Sequence, residues 1–239
     1  LGMRHYKHKP SIKDEEYFDL RLNRVYDVLE PEDNLDALES QVRQVLDTLV
    51  ETRDEPLGTH ELLLVLGEHL GGEGVLQTAV RKNVSVIIPA FTDSELGLDF
   101  DVHTTMMRQA GKKPLVYDAF RDLTHFRHLC EDALAGGKKL AIFTIGGGVP
   151  RNWAQQVGPF VDVRNIRLGL EKPRTRYHYG VRICPDPVHY GHLSGCTYSE
   201  GVSWGKFVPE GRGGRFAEVL LDATVGWPLI VRALVDRGL

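Results

Sequence analysis

The chain has 239 residues, enough for one large α/β domain or two small ones with a core that needs no disulfide or metal staple. Its 29 basic and 33 acidic residues leave a formal charge of -4, which excludes a general electrostatic pull toward nucleic acid or an anionic membrane. Three cysteines, an odd number, point to a reducing cytoplasm rather than a disulfide framework, and no signal peptide or apolar run near the roughly 20 residues of a membrane span is visible.

In chain order, residues 1–33 read as a charged, irregular arm or connector carrying Lys7, Lys9, Lys13 and Asp14-Glu15-Glu16. A single domain over 34–239 follows. Leu35, Leu38, Val42, Val45 and Leu49 predict a helix over about 34–52 with Asn34 as its N-cap. After Pro56-Leu57-Gly58, Thr59 can cap a second apolar helix through Leu62, Leu63, Val65, Leu66 and Leu70, which Gly71-Gly72 ends. A short helix near 73–82 leads to Val84-Ser85-Val86-Ile87-Ile88-Pro89, a β-branched run that predicts a buried parallel strand. Met106-Met107 reads as core filler, and Lys112-Lys113 and Lys138-Lys139 as solvated turns. A helix over about 115–135, with Val116, Ala119, Phe120, Leu123 and Cys130 on one face, precedes the strand Leu140–Ile145 and three glycines. A helix near 150–158, a strand near 177–184, the strand Glu218-Val219-Leu220-Leu221 and a helix from about 228 complete a βαβ rhythm. That alternation predicts a parallel sheet flanked by helices, with Asp93, Gly146 and Asp222 at the carboxyl ends of strands where ligands bind.

Three clusters carry candidate chemistry. Glu200-Gly201-Val202-Ser203-Trp204-Gly205-Lys206 places a carboxylate, an indole and an amine in seven residues, and a lysine buried beside an indole is a candidate nucleophile that can form an imine. A core tryptophan with a solvated lysine is the plainer alternative. Gly146-Gly147-Gly148 lets backbone N–H groups approach a phosphate, although the spacing is not GxGxxG and a bare loop would look the same. Asp93 and Asp222 could accept ribose hydroxyls or merely cap helices. Cys184, His189, His192 and Cys196 could ligate zinc, but their spacing does not match the tight pairs of structural sites, so no metal is assigned.

Taken in order and spacing, Pro89-Ala90-Phe91-Thr92-Asp93, Gly146-Gly147-Gly148-Val149, Glu200 to Lys206 and Leu221-Asp222-Ala223-Thr224 resemble the deoxyhypusine synthase family from about Leu22 onward. The resemblance implies a Rossmann-like fold, NAD as cofactor, transfer of an aminobutyl group from a polyamine to an acceptor amine, and a homotetramer with sites at subunit interfaces. It makes Lys206 the imine-forming lysine, Glu200 an acid that binds an amine end or moves protons, and Trp204 the ring along the polyamine methylenes. Asp93, the three glycines, Asp222, Ala223 and Thr224 become NAD contacts.

The chain also departs from the family pattern. In place of a T-D-G-S-x-G-D run, Leu98 takes the closing acid's position, with Asp99 one residue late. Asn152 stands where a histidine is expected, and Tyr190-Gly191-His192-Leu193-Ser194-Gly195 replaces an acidic D-G-S-D-S-G run. Asn152, Asp99 and His192 are therefore the expected lining of an altered amine pocket, short of carboxylates that offset an amine's desolvation. The family's N-terminal NAD-binding portion is expected to be missing. Transfer to a small diamine, as in homospermidine synthesis, and an inactive homologue are the alternatives.

Overall fold

A computed structural model describes residues 3–191 and 196–238. The chain is mixed α/β and divides into two compact units, Leu1–Ala119 and Phe120–Leu239. No helix among the described residues is long and apolar enough to cross a membrane.

The first unit begins with strand β1 (Tyr6–Lys7), helix α1 (Asp14–Asp19), β2 (Leu22–Val25) and β3 (Val28–Pro31), the strands forming an antiparallel sheet of order β1-β3-β2. The segment expected to be irregular is thus structured. Val25 pairs with Val28 across the two-residue turn Tyr26-Asp27, where Tyr26 takes φ 57°, the left-handed geometry that matches the twist of a hairpin. Tyr17 is buried beneath, its ring against His8 and its hydroxyl accepting from Lys9 N.

Helices α2 (Glu32–Thr52), α3 (Thr59–His69), α4 (Val75–Arg81) and α5 (Glu95–Gln109) make up the rest. Their apolar periodicity buries Val42, Val45, Leu46 and Leu49 against Leu62, Leu63, Leu66, Phe91 and Phe100. Two expected caps are corrected. Pro31 precedes α2 while Asn34 donates to Arg4 O and Glu30 Oε1, and Thr59 is inside α3, its hydroxyl accepting from Ile88 N. The run 84–88 belongs to no strand among the described residues, and Val84 is 59% exposed. β-branched residues favour a pleated backbone, yet a strand exists only where a neighbour takes its hydrogen bonds. Asp93 consequently closes a 3-10 turn (Phe91–Asp93) rather than a strand. Helix α5 is an element beyond those expected; Ser94 caps it by accepting from Gly97 N, and Met106 on it is exposed rather than core.

The second unit carries α6 (Ala119–Ala135), β4 (Leu140–Ile145), α7 (Val149–Gln155), α8 (Val157–Leu168), β5 (Tyr177–Ile183), α9 (Tyr198–Ser203), β6 (Arg215–Val219) and α10 (Ala223–Asp236). The three strands are parallel, in the order β4-β5-β6, with Ile142 opposite Gly180 and Gly180 opposite Phe216. The helix expected from about 115 begins at Ala119, and Val116 ahead of it and Phe120 on it, expected on its buried face, are exposed. β6 ends two residues earlier than expected and α10 starts five residues before Pro228, because Asp222 accepts from Thr224 N and nucleates the first turn ahead of the proline. One sheet face packs Leu140, Tyr177, Tyr198, Phe207, Cys130 and Val157 together. Tyr198 stacks on Phe216 at 4.6 Å, and a Cβ at position 180 would lie 2.5 Å from the Tyr198 ring, so glycine there is what admits α9 to the sheet.

Candidate functional site

The heptapeptide that ends in Lys206 begins inside a short helix, α9. Thr197 Oγ1 accepts from Glu200 N and starts α9; six residues later the helix ends in a Schellman turn. Lys206 N donates to Gly201 O at 2.9 Å and Gly205 N to Val202 O at 3.0 Å, with Gly205 at φ +71°. That motif demands a residue free to adopt a left-handed backbone just before the lysine, which is why glycine precedes it. Tyr177 N then donates to Lys206 O at 3.0 Å, fastening the lysine's main chain to the first residue of β5.

Lys206 is 5% exposed, and its Nζ donates to Asn152 Oδ1 at 3.1 Å. The buried amine is thus present, but its shelter is not the indole. Trp204 is 65% exposed, because the turn at Gly205 separates the directions in which positions 204 and 206 project. Glu200 is exposed in the first turn of α9. Ahead of α9, the Cys196 thiol is pushed up from its ordinary value by burial and next by Glu200, against the opposing pull of Lys206 and Arg151.

Arg151, which follows Pro150 in α7, was not singled out by the sequence. It is buried, donates from Nη2 to Cys196 O at 2.9 Å and lies over the Tyr198 ring, and its burial lowers the guanidinium from its usual range. The one signal was its place beside Asn152 in the helix that follows the glycines.

The glycine run closes β4. Gly146 N donates to Ile183 O at 2.8 Å, Gly146 and Gly148 have φ of +75° and +88°, and a Cβ on either would meet nothing within 4 Å. At the carboxyl ends of β5 and β6 a cavity of about 350 Å³ is lined by Arg182, Cys184, Asp186, Val188, Glu218 and Leu220, with Arg182 Nη2 3.1 Å from Glu218 Oε2. Asp222 caps α10, its Oδ1 accepting from Thr224 N and from Thr224 Oγ1, and these bonds hold its carboxyl below the usual range. Ala223 and Thr224 form the first turn of that helix.

Asp93 and Asp99 belong to the first unit. Asp93 is exposed; Asp99 on α5 is half-buried and pushed up to about 6, first by burial and then by Glu95 and Glu39. His192 lies outside the described residues. Of the zinc candidates, Cys184 approaches Asp186 at 3.9 Å, and no group of three or more metal-binding side chains occurs among the described residues.

A family model described as deoxyhypusine synthase matches residues 1–234. The probable deoxyhypusine synthase 2 of Methanosarcina acetivorans is 28% identical over 242 residues, covering 99% of this chain and 64% of that protein. The probable deoxyhypusine synthase 1 of Methanosarcina mazei is 32% identical over 238 residues, covering 99% of this chain and 66% of that protein. A deoxyhypusine synthase-like protein of Coxiella burnetii is 28% identical, covering 100% and 64%. The chain therefore spans about two thirds of the length of the curated relatives it matches.

Proposed function

This chain belongs to the deoxyhypusine synthase family, and from that premise we propose that it takes part in transferring an aminobutyl group from a polyamine to an acceptor amine, with Lys206 as the imine-forming lysine and NAD as cofactor on a Rossmann-like fold. The observation that carries the reading is the buried amine of Lys206, held by Asn152 and fixed at its backbone by the start of β5.

The described residues fit a dinucleotide. Gly146 and Gly148 leave the backbone at the end of β4 open to close approach, and Asp222 keeps one carboxylate oxygen, Oδ2, outside its cap. Gly146, Gly147, Gly148, Asp222, Ala223 and Thr224 would hold it. When bound, NAD supplies a hydride acceptor for the carbon beside the donor's amine and a hydride donor for the final reduction.

The protein's own part is the handling of the aminobutyl unit. The Lys206 nitrogen adds to the carbon that has become electrophilic, the C–N bond to the departing diamine breaks, and the unit stays on Nζ as an imine. An acceptor amine then adds to the same carbon and releases Lys206. Glu200 binds an amine end or moves the protons these exchanges require, and Trp204, exposed, offers an indole face to the methylenes. Asn152 and His192 complete the amine-binding set.

We read the assembly as a cytoplasmic homotetramer, supported by the odd cysteine count and by the apolar surface of α10. The test is borohydride trapping. Protein incubated with NAD and spermidine, then reduced, should carry the aminobutyl mass on Lys206, and Lys206→Ala should carry none. Incubation with a small diamine or with a lysine-bearing protein acceptor separates the two kinds of transfer. No adduct with any polyamine would leave an inactive homologue.

A further inference from the structure

Lys206 is restrained at two points of different character. Its main chain is tied by two backbone partners, Gly201 and Tyr177, while its Nζ has one hydrogen-bond partner among the described residues, the neutral amide oxygen of Asn152 at 3.1 Å. Arg151 on α7 and Glu200 on α9 act together with Lys206 on the Cys196 thiol, and among the described residues no carboxylate is paired with Lys206. The side chain of Glu200 is exposed whereas Lys206 is buried.

We propose that Asn152 is the positioning residue of the imine-forming amine: its carbonyl oxygen takes one N–H of Nζ and so aims the nitrogen, while adding no charge that would bind it as an ammonium ion. This deepens, and rests on, the reading of Lys206 as the group that bonds to carbon. The physical content lies in the difference between an amide and a carboxylate at one point in space. An amide oxygen can accept from either an amine or an ammonium, and it favours the ammonium far less than a full negative charge does. A carboxylate in the same buried place favours the ammonium, and a nitrogen locked in that form has no electron pair to give to carbon. Asparagine also puts no titrating ring at position 152, so the readiness of Lys206 is not set by the protonation of that neighbour.

The experiment needs neither cofactor nor polyamine. Purified protein is treated with formaldehyde and cyanoborohydride, and the rate of methylation at Lys206 is read by peptide mass spectrometry against exposed Lys113 as internal reference. Asn152→Asp should slow Lys206 at least about tenfold at neutral pH and move the pH of half-maximal rate upward, because an opposite charge within bonding distance shifts an amine by a unit or more. Lys113 should not change. Equal rates at Lys206 in the wild type and a folded Asn152→Asp would overturn the proposal. If that variant does not fold, the wild type decides: in a sample labelled with 15N-lysine, the Nζ resonance lost in Lys206→Arg should exchange its protons more slowly than that of Lys113, and an equal rate rejects the assignment. The borohydride trap with NAD and spermidine keeps the two ideas apart. Methylation that follows residue 152 without any polyamine adduct leaves the positioning intact and removes the transferase reading.

Discussion

Asp99 shows how one side chain can report its surroundings through stability. Its carboxyl is harder to ionise in the fold than in the unfolded chain, pushed from 3.8 to about 6 by burial first and then by Glu95 and Glu39. A raised carboxyl contributes stability that is complete below the unfolded value and is lost as pH rises through the folded one. Wild-type urea midpoints should therefore fall from about pH 4 to about pH 7, and Asp99→Asn should flatten that fall and unfold later at pH 8. A variant whose midpoint tracks the wild type across this range would mean that Asp99 is not the group responsible. Asp222 has the opposite sign, since Thr224 holds its carboxyl low, and its cap on α10 weakens as pH falls through that lowered value.

Among the elements, α9 depends on two glycines for unlike reasons. Gly205 supplies a left-handed backbone, whereas Gly201 supplies room: a Cβ there would stand 2.6 Å from the Phe207 ring. Gly201→Ala should cost about 2 kcal/mol by overpacking, read as a shift in urea midpoint at unchanged slope, and should also disturb the carbonyl that receives Lys206 N. The helices α2 and α3 and the strand β4 were legible because apolar periodicity and a bounded β-branched run are local signals. The stretch 84–88 carried the same local signal as β4 and still formed no strand, since pairing depends on residues far away in the chain. The sheltered lysine was legible for the wrong reason; Asn152 and the β5 contact, not Trp204, surround it, and nothing in the heptapeptide encodes a partner 54 residues upstream. Arg151 was missed because an arginine in an amphipathic helix ordinarily looks like a solvated one.

For the whole molecule, the apolar surface on the second unit is the feature with consequences for assembly. Parallel sheets are ordinarily covered on both faces, yet Phe143, Ile145 and Val219 are exposed, and α10 shows Val225, Leu229 at 67% exposure and Val235 to solvent, with its Arg232 and Asp236 charges satisfied by each other. Under the homotetramer proposal these residues lie in subunit contacts. Sedimentation of the wild type should then show a species larger than the monomer, and Leu229→Glu with Val235→Lys should dissociate it. A wild type that sediments as a monomer at all concentrations removes that part of the proposal. The Arg182 and Glu218 pair gives a second whole-fold test, since Arg182 is buried and Glu218 only partly so. Glu218→Gln should cost about 2 kcal/mol in unfolding free energy by leaving a buried guanidinium without its counter-charge.

The clamp on the backbone of Lys206, from Gly201 on one side and Tyr177 on the other, makes that residue a crane with a bolted base. Only the jib swings. In the proposed reaction, cargo lifted from one visitor must be lowered onto another inside the same small sphere, so the first visitor's remnant has to vacate the berth before the second can dock.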